Sequence, residues 1–423
     1  MTMVRKAPIE TTHAVYRTQK EGTGASERGN MTTRSCPGCG SGDCDTFYET
    51  MGVPANSRLL PASREEAIAV PRGDVALSLC NVCGLVFNAA FDPGLVDRAT
   101  INQESCAHSS VFRGFQERLA DQLIERYTLH DKDLLEIGCG RGEFLALLCE
   151  LGGNHGIGFD ADAPDRQRSR LGFDATFRRE PFSEYTVTGP TDLVYSRLLL
   201  EHLVDPARFV GLLRRAASLR KGARLFLQAS NFVRTLRHYA FWEIHYQQCC
   251  YFSAGSLHRL LRAQGFTIDD IWADFDGHYL LADARPASNG TTQSDAREIV
   301  ETVTDLARLV GHFGREFGDK QAMWREILDE IAQAGNRIAI WGAGSRAVSF
   351  LTTLEVGDEV SYVVDLSPSR QGRYTPGTGH RIVGPDVMAA TRPDVVIVMN
   401  SVFAFEIQEL LAKAGCVPTL LIA

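Results

Sequence analysis

Two short knuckles, CPGCG and CNVCG, pair Cys36 with Cys39 and Cys80 with Cys83. A Cys-x-x-Cys turn sets two thiolates on one edge of a tetrahedron, and the glycine that follows lets the backbone fold back sharply. Two such knuckles close a four-sulfur shell with no open position, which predicts a structural zinc ion (Zn2+) rather than a catalytic one. Two separate redox pairs are the competing reading of the same thiols. Cys44 is a competing candidate ligand, though it lacks a partner knuckle.

Two glycine loops come next. In DLLEIGCGRGEFLALLCELG, a short apolar strand runs into Gly138, Gly140 and Gly142, and an amphipathic helix follows. Glycines at a strand-to-helix turn let a ligand approach the backbone closely. Glu136 precedes the loop, and Asp160 ends the next strand, GIGFDAD, where a carboxylate can accept ribose hydroxyls. In IAIWGAGSRAVSFL, Gly342 and Gly344 open a second loop, and Asp365 ends the strand after it. This second pattern meets the dinucleotide fingerprint and by itself suggests an NAD(P) oxidoreductase. No hydride-acceptor site accompanies it.

Strands and helices that alternate around both loops predict parallel sheets and an α/β fold. The chain divides into a disordered leader (1–32), a small N-terminal four-cysteine zinc domain (33–97) and a central Rossmann-like domain (105–286). A linker with helices (287–335) and a C-terminal Rossmann-like α/β domain (336–423) complete it. AREIVETVTDLARLVGHFGREF and QAMWREILDEIAQAG carry apolar residues at 3–4 spacing and read as two helices. With 423 residues, 44% hydrophobic content and a net charge of −8, the composition is that of a globular protein and speaks against general nucleic-acid binding. No apolar run is long enough to span a membrane, and no signal-peptide core precedes the first domain. The expected setting is cytoplasmic, with a small-molecule partner and a monomeric chain.

LEIGCGRGEFL resembles motif I of class I S-adenosylmethionine-dependent methyltransferases, in which the loop lies along the methionine part of S-adenosyl-L-methionine. TDLVYSRLLLEHLVDP resembles that family's post-motif region. The order of cysteine knuckles, methyltransferase core and second glycine loop is similar to the sugar C-methyltransferases of deoxysugar pathways along nearly the whole chain after residue 33. The resemblance implies a nucleotide-linked 4-keto sugar held between the central and C-terminal domains. It implies Glu136, Gly138, Gly140, Gly142 and Asp160 at the cofactor, and Gly342 and Gly344 near the nucleotide without bound NAD. A base would remove the proton beside the ketone before the carbon takes the methyl group.

The segment FWEIHYQQCCYFS departs from the family. Its relatives carry an adjacent Glu-His, which aligns here with Gln247 and Gln248. Glutamine positions and donates but does not accept a proton at neutral pH. Three readings follow: the base has moved to His245, Tyr246, His202 or His278; the acceptor is an oxygen or nitrogen that needs only positioning; or the protein binds without catalysis. Tyr251 and His278 are expected in the acceptor pocket with the two glutamines, and His245, inside the anomalous segment, is the first choice for the base.

Overall fold

The computed structural model describes residues 35–96, 108–161, 163, 174–186, 189–287 and 301–423. The leader expected over 1–32 lies outside them, as does 288–300 of the expected linker. Among the described residues the strands form three sheets. In the first, β1 (Cys44–Pro54), β2 (Arg72–Cys80) and β3 (Val86–Asn88) run antiparallel. Its fourth strand comes from far along the chain and is described below.

The central sheet is built on β4 (Asp133–Ile137), β5 (His155–Phe159), β6 (Asp174–Arg178), β7 (Leu193–Arg197) and β8 (Arg224–Ser230), all parallel. Strands β4, β7 and β8 are almost wholly buried, as strands of a sheet covered on both faces are. β9 (Cys250–Tyr251) then leaves the central domain and pairs with β3, so Tyr251 stands opposite Val86. β10 (Phe266–Asp274) and β11 (Tyr279–Pro286) return to the central sheet, where β11 runs antiparallel to β8. The strand order is β10-β11-β8-β7-β4-β5-β6. It reverses between β4 and β7, the switch point at which open α/β sheets bind ligands.

The third sheet is fully parallel: β12 (Ile338–Trp341), β13 (Val360–Val364), β14 (Ile382–Val383), β15 (Val395–Val398) and β16 (Thr419–Ile422), ordered β14-β13-β12-β15-β16. It too has its switch point beside its first strand. The two helices expected before it are one continuous helix, Val303–Gln333, started by a Thr302–Asp305 capping box. Its first half packs Phe313 against Tyr48 of the N-terminal sheet, and its second half packs Trp324 against Phe350 of the C-terminal domain. The helix is thereby shared between two hydrophobic cores. No helix among the described residues is long and apolar enough to cross a membrane.

Candidate active site

The four knuckle cysteines converge. Cys36 and Cys83 bring their sulfurs to 3.5 Å, Cys39 and Cys80 do the same, and all four sulfurs lie within 4.8 Å of one another. The knuckles are built alike. Gly40 donates to the Cys36 carbonyl and Gly84 to the Cys80 carbonyl, each at 2.8 Å, with φ of +78° and +71°. A side chain would strain both turns. The Gly38 N–H points at the Cys36 sulfur, 3.4 Å away, as suits a thiolate. Cys44 contacts the Ser41 carbonyl and is not among the four. The donor set fits a closed, structural zinc site.

A cavity of about 420 Å³ is walled by the carboxyl ends of the central and C-terminal sheets. From the central domain come Glu136, Gly138, Gly140, Arg197, Glu201, His202 and Ser230; from the C-terminal domain, Gly342, Gly344, Arg346, Arg370 and Asn400. Gly138 and Gly140 adopt φ of +80° and +54°, and Gly140 donates to Asp160 Oδ2 at 2.9 Å. Glu136 sits at the base of the loop, 2% exposed, with the Tyr195 hydroxyl donating to it at 3.2 Å. Burial pushes its carboxyl up to about 7, against the pull of Arg197. Gly142 is different. It does not line the cavity, and a Cβ there would stand 2.0 Å from Phe177, so packing against β6 is what demands a glycine. Asp160, partly exposed, is not among the lining residues and holds the loop through Gly140.

On the opposite wall, Gly342 has φ +103° and Gly344 caps the helix Ser345–Thr353 with no side-chain partner. A Cβ at either position would meet nothing within 4 Å, so both face open space. The fingerprint acid Asp365 is 4% exposed, and its two oxygens already accept from the Ala343 and Ser367 N–H groups, each at 2.9 Å. This carboxylate braces its own loop at the edge of the cavity, which accounts for its place in the fingerprint without a bound dinucleotide.

The segment from Phe241 to Ser253 divides its residues between domains. Tyr246 turns away from the cavity. Its hydroxyl accepts from the Asp92 N–H at 2.7 Å, and its ring lies 5.2 Å from Phe91, so the role of base expected for Tyr246 has no geometry behind it. Gln247 reaches the cavity wall but is committed to the N-terminal domain: Oε1 accepts from Ser57 N and Oγ at 3.1 and 2.9 Å, and Nε2 donates to Asn56 at 3.4 Å. The Gln248 side chain lines the cavity and makes no hydrogen bond among the described residues. The Tyr251 hydroxyl both accepts from and donates to the His245 backbone, at 3.2 and 3.1 Å, and so shapes the wall by fixing its neighbour.

The three histidines also part company. His245 Nδ1 lies 2.9 Å from Ser349 Oγ, whose hydrogen goes to the Ile244 carbonyl, so Nδ1 donates. Burial, with Arg346 and Arg58 nearby, lowers this imidazole to about 3. The neutral ring is therefore a weak base, which argues against the role that the sequence suggested for it. His278 accepts from Arg346 at 3.1 Å through Nδ1 and is lowered to about 2, chiefly by burial and then by Arg346. Glu243 orients Arg346 through a 2.9 Å ion pair. His202 donates from Nδ1 to the Gln247 carbonyl at 2.9 Å. Arg58, Arg197, Glu201, Arg346 and Arg370 escaped the sequence reading. Three of them left a signal there: Glu201 stands beside His202 in TDLVYSRLLLEHLVDP, Arg197 lies in the same segment, and Arg346 is two residues after Gly344.

A seven-stranded sheet in this order, with a glycine loop at its switch point, is the frame of an S-adenosylmethionine-dependent methyltransferase. Residues 112–271 match the family model of a methyltransferase domain, and residues 281–416 match that of a C-methyltransferase C-terminal domain. The chain belongs to the S-adenosylmethionine-dependent methyltransferases that carry this C-terminal domain. It is similar to the C-methyltransferase NovU of Streptomyces niveus, 27% identical over 309 residues that make up 69% of this chain and 71% of NovU. Solved methyltransferases overlap less of it. The 1,6-didemethyltoxoflavin-N1-methyltransferase of Burkholderia thailandensis is 19% identical over 44% of this chain and 84% of its own, with a TM-score of 0.33. The magnesium protoporphyrin IX methyltransferase of Synechocystis is 16% identical over 45% and 89%, with a TM-score of 0.34.

Proposed function

We propose that the protein methylates a carbon next to the ketone of a nucleotide-linked keto-deoxysugar, as a monomeric cytoplasmic enzyme with a structural zinc. The observation that carries this is the single cavity shared by the two glycine loops. One loop, with Glu136, Gly138 and Gly140, suits S-adenosyl-L-methionine, which when bound supplies a methyl group on a positively charged sulfur. The other offers the N-terminus of the helix Ser345–Thr353 together with Arg346 and Arg370, a cationic wall suited to a diphosphate. Gln248, with an amide that no group among the described residues occupies, suits the sugar between them.

In this reading the walls hold the acceptor carbon and the methyl donor in one water-poor space, and proximity supplies much of the rate. Neutral His278, with its hydrogen on Nε2 because Nδ1 accepts from Arg346, suits a carbonyl oxygen as a donor. A second reading is favoured by one observation: His245 and His278 both stay neutral well below pH 7. An oxygen or nitrogen acceptor would need positioning more than a strong base. The test is methyl transfer from labelled S-adenosyl-L-methionine to a panel of keto-sugar nucleotides, with the product's new methyl carbon read by NMR. A carbon-bound methyl supports the first reading; an oxygen- or nitrogen-bound methyl replaces it with the second.

A further inference from the structure

We propose that Glu201, through Oε2, is the group that takes the proton from the acceptor carbon, in place of the Glu-His pair that this chain lacks. The inference rests on the carbon-methylation reading above. Glu201 sits in a short 3-10 turn, Leu200–His202, just past the carboxyl end of β7. The preceding residue, Leu199, packs directly on the cofactor loop, so close that a Cβ on Gly138 would stand 2.8 Å from its side chain. The turn thus places Glu201 in the cavity wall beside the loop that receives the methyl donor, with Arg58, His202 and Ser230 around it.

Its two oxygens are treated unequally. Oε1 accepts from the Ser230 N–H at 3.1 Å and from the Ser230 hydroxyl at 2.8 Å. Oε2 is buried and has no hydrogen-bond partner, with Arg58 as the nearby opposite charge. A buried carboxylate oxygen without a donor is costly, and proteins rarely keep one without use for it. Here one oxygen is pinned by the end of β8, so the other has a fixed direction, which is what a proton acceptor requires. Burial also raises this carboxyl above its ordinary range, toward the basicity that carbon deprotonation needs. None of the alternatives combines these features. Tyr246 lies outside the cavity, His245 and His278 are too acidic when protonated, and Gln247 and Gln248 cannot titrate. His202, already bonded to the Gln247 carbonyl, is the competitor left among these candidates.

The step balances without any further reactant. The C–H bond beside the ketone breaks and its proton passes to Oε2. The released pair becomes a carbon–carbon double bond as the carbonyl π pair moves onto oxygen, leaving an enolate and a neutral Glu201. The proton is lost to solvent after turnover.

The experiment uses the full-length protein and a thymidine-diphosphate-linked 4-keto-6-deoxyhexose in deuterated water, with S-adenosylhomocysteine present so that no methyl is transferred. Wild-type protein should wash deuterium into the carbon beside the ketone. Glu201→Gln should slow that exchange, and methyl transfer with the complete cofactor, by about 100-fold or more, with cofactor affinity and melting temperature unchanged. Ser230→Ala, which removes the hydroxyl donor to Oε1 and leaves only the Ser230 N–H, should slow exchange by about 10-fold, and it carries the test if the glutamine variant does not fold. Exchange within about threefold of wild type in Glu201→Gln, or in Ser230→Ala should that variant stand in, overturns the proposal. So does a loss confined to His202→Gln, which would move the proton to the histidine. Wild-type methylation of an oxygen or nitrogen without any carbon exchange instead overturns the underlying reading, and this inference with it.

Discussion

Glu136 gives the most quantitative handle on cofactor binding. Its carboxyl is held at about 7 by burial, so close to half of the free protein carries a proton there at pH 7. A positively charged ligand within about 4–6 Å favours the ionised form and lowers such a carboxyl by about 1–3 units. Binding S-adenosyl-L-methionine at pH 7 should therefore expel about half a proton, and at pH 8.5 almost none. The sign follows directly. Bound cofactor keeps Glu136 ionised to lower pH than the free protein does, so affinity weakens as pH falls from about 7 toward the bound value. A shift of one to two units makes the dissociation constant about 10- to 100-fold larger across that window. Calorimetry in buffers of different ionisation enthalpy reads both the proton count and the affinity. The cofactor's own amine titrates near 8, so the informative quantity is wild type minus Glu136→Gln, in which the dependence should vanish. A wild-type affinity that is flat from pH 5.5 to 8.5, or an identical slope in the variant, would refute the placement of the cofactor over Glu136.

Other outcomes can be checked separately. Wild-type protein should carry about one zinc per chain by metal analysis, and Cys36→Ser or Cys83→Ser should release it and lower the melting temperature; a folded, metal-free wild type would sink the site. Gln247→Ala should cost about 1–3 kcal/mol in urea denaturation, because the Ser57 N–H and hydroxyl lose their acceptor, whereas Gln248→Ala should leave stability alone and raise the acceptor's Michaelis constant. Gly142→Ala should destabilise the central domain, by about 1–2 kcal/mol from its φ of +80° alone and more from Phe177, as seen by thermal melts. Gly344→Val, at an extended φ of −85° and facing open space, should keep both stability and S-adenosyl-L-methionine affinity while weakening acceptor binding.

What the sequence made legible was local chemistry. The cysteine knuckles converge and the glycine loops turn where the spacing puts them, because the residues that matter are neighbours in the chain, and their positive-φ glycines advertise the turn. The paired helices before β12 read as two because GHFGREFGDK interrupts the apolar spacing with glycines and charges, while the structure keeps them helical by packing each half on a different core. The acceptor wall was not legible. Alternation along FWEIHYQQCC gives no hint that Tyr246 points into one domain while Gln248 faces a cavity shared by two others. Arg58 and Arg370 reach that cavity from two distant stretches, and only tertiary contact reveals them. Glu201 was hidden for a further reason: its neighbour His202 is the more conventional base, and the asymmetry between two carboxylate oxygens has no trace in sequence.

The pairing of β3 with β9 has a consequence for synthesis on the ribosome. The four cysteines have all been made once residue 83 is added, so a metal can be captured early. The sheet that surrounds them cannot be finished until Cys250 and Tyr251 arrive to bond with Phe87 and Val86. At 5–20 residues per second, the nascent N-terminal unit waits roughly 10–30 s with the edge of β3 uncovered. An open strand edge invites pairing with a neighbouring chain. Early zinc capture would hold that unit compact through the interval, so zinc starvation during expression should appear first as aggregation of newly made chains, before any loss from the pool already folded.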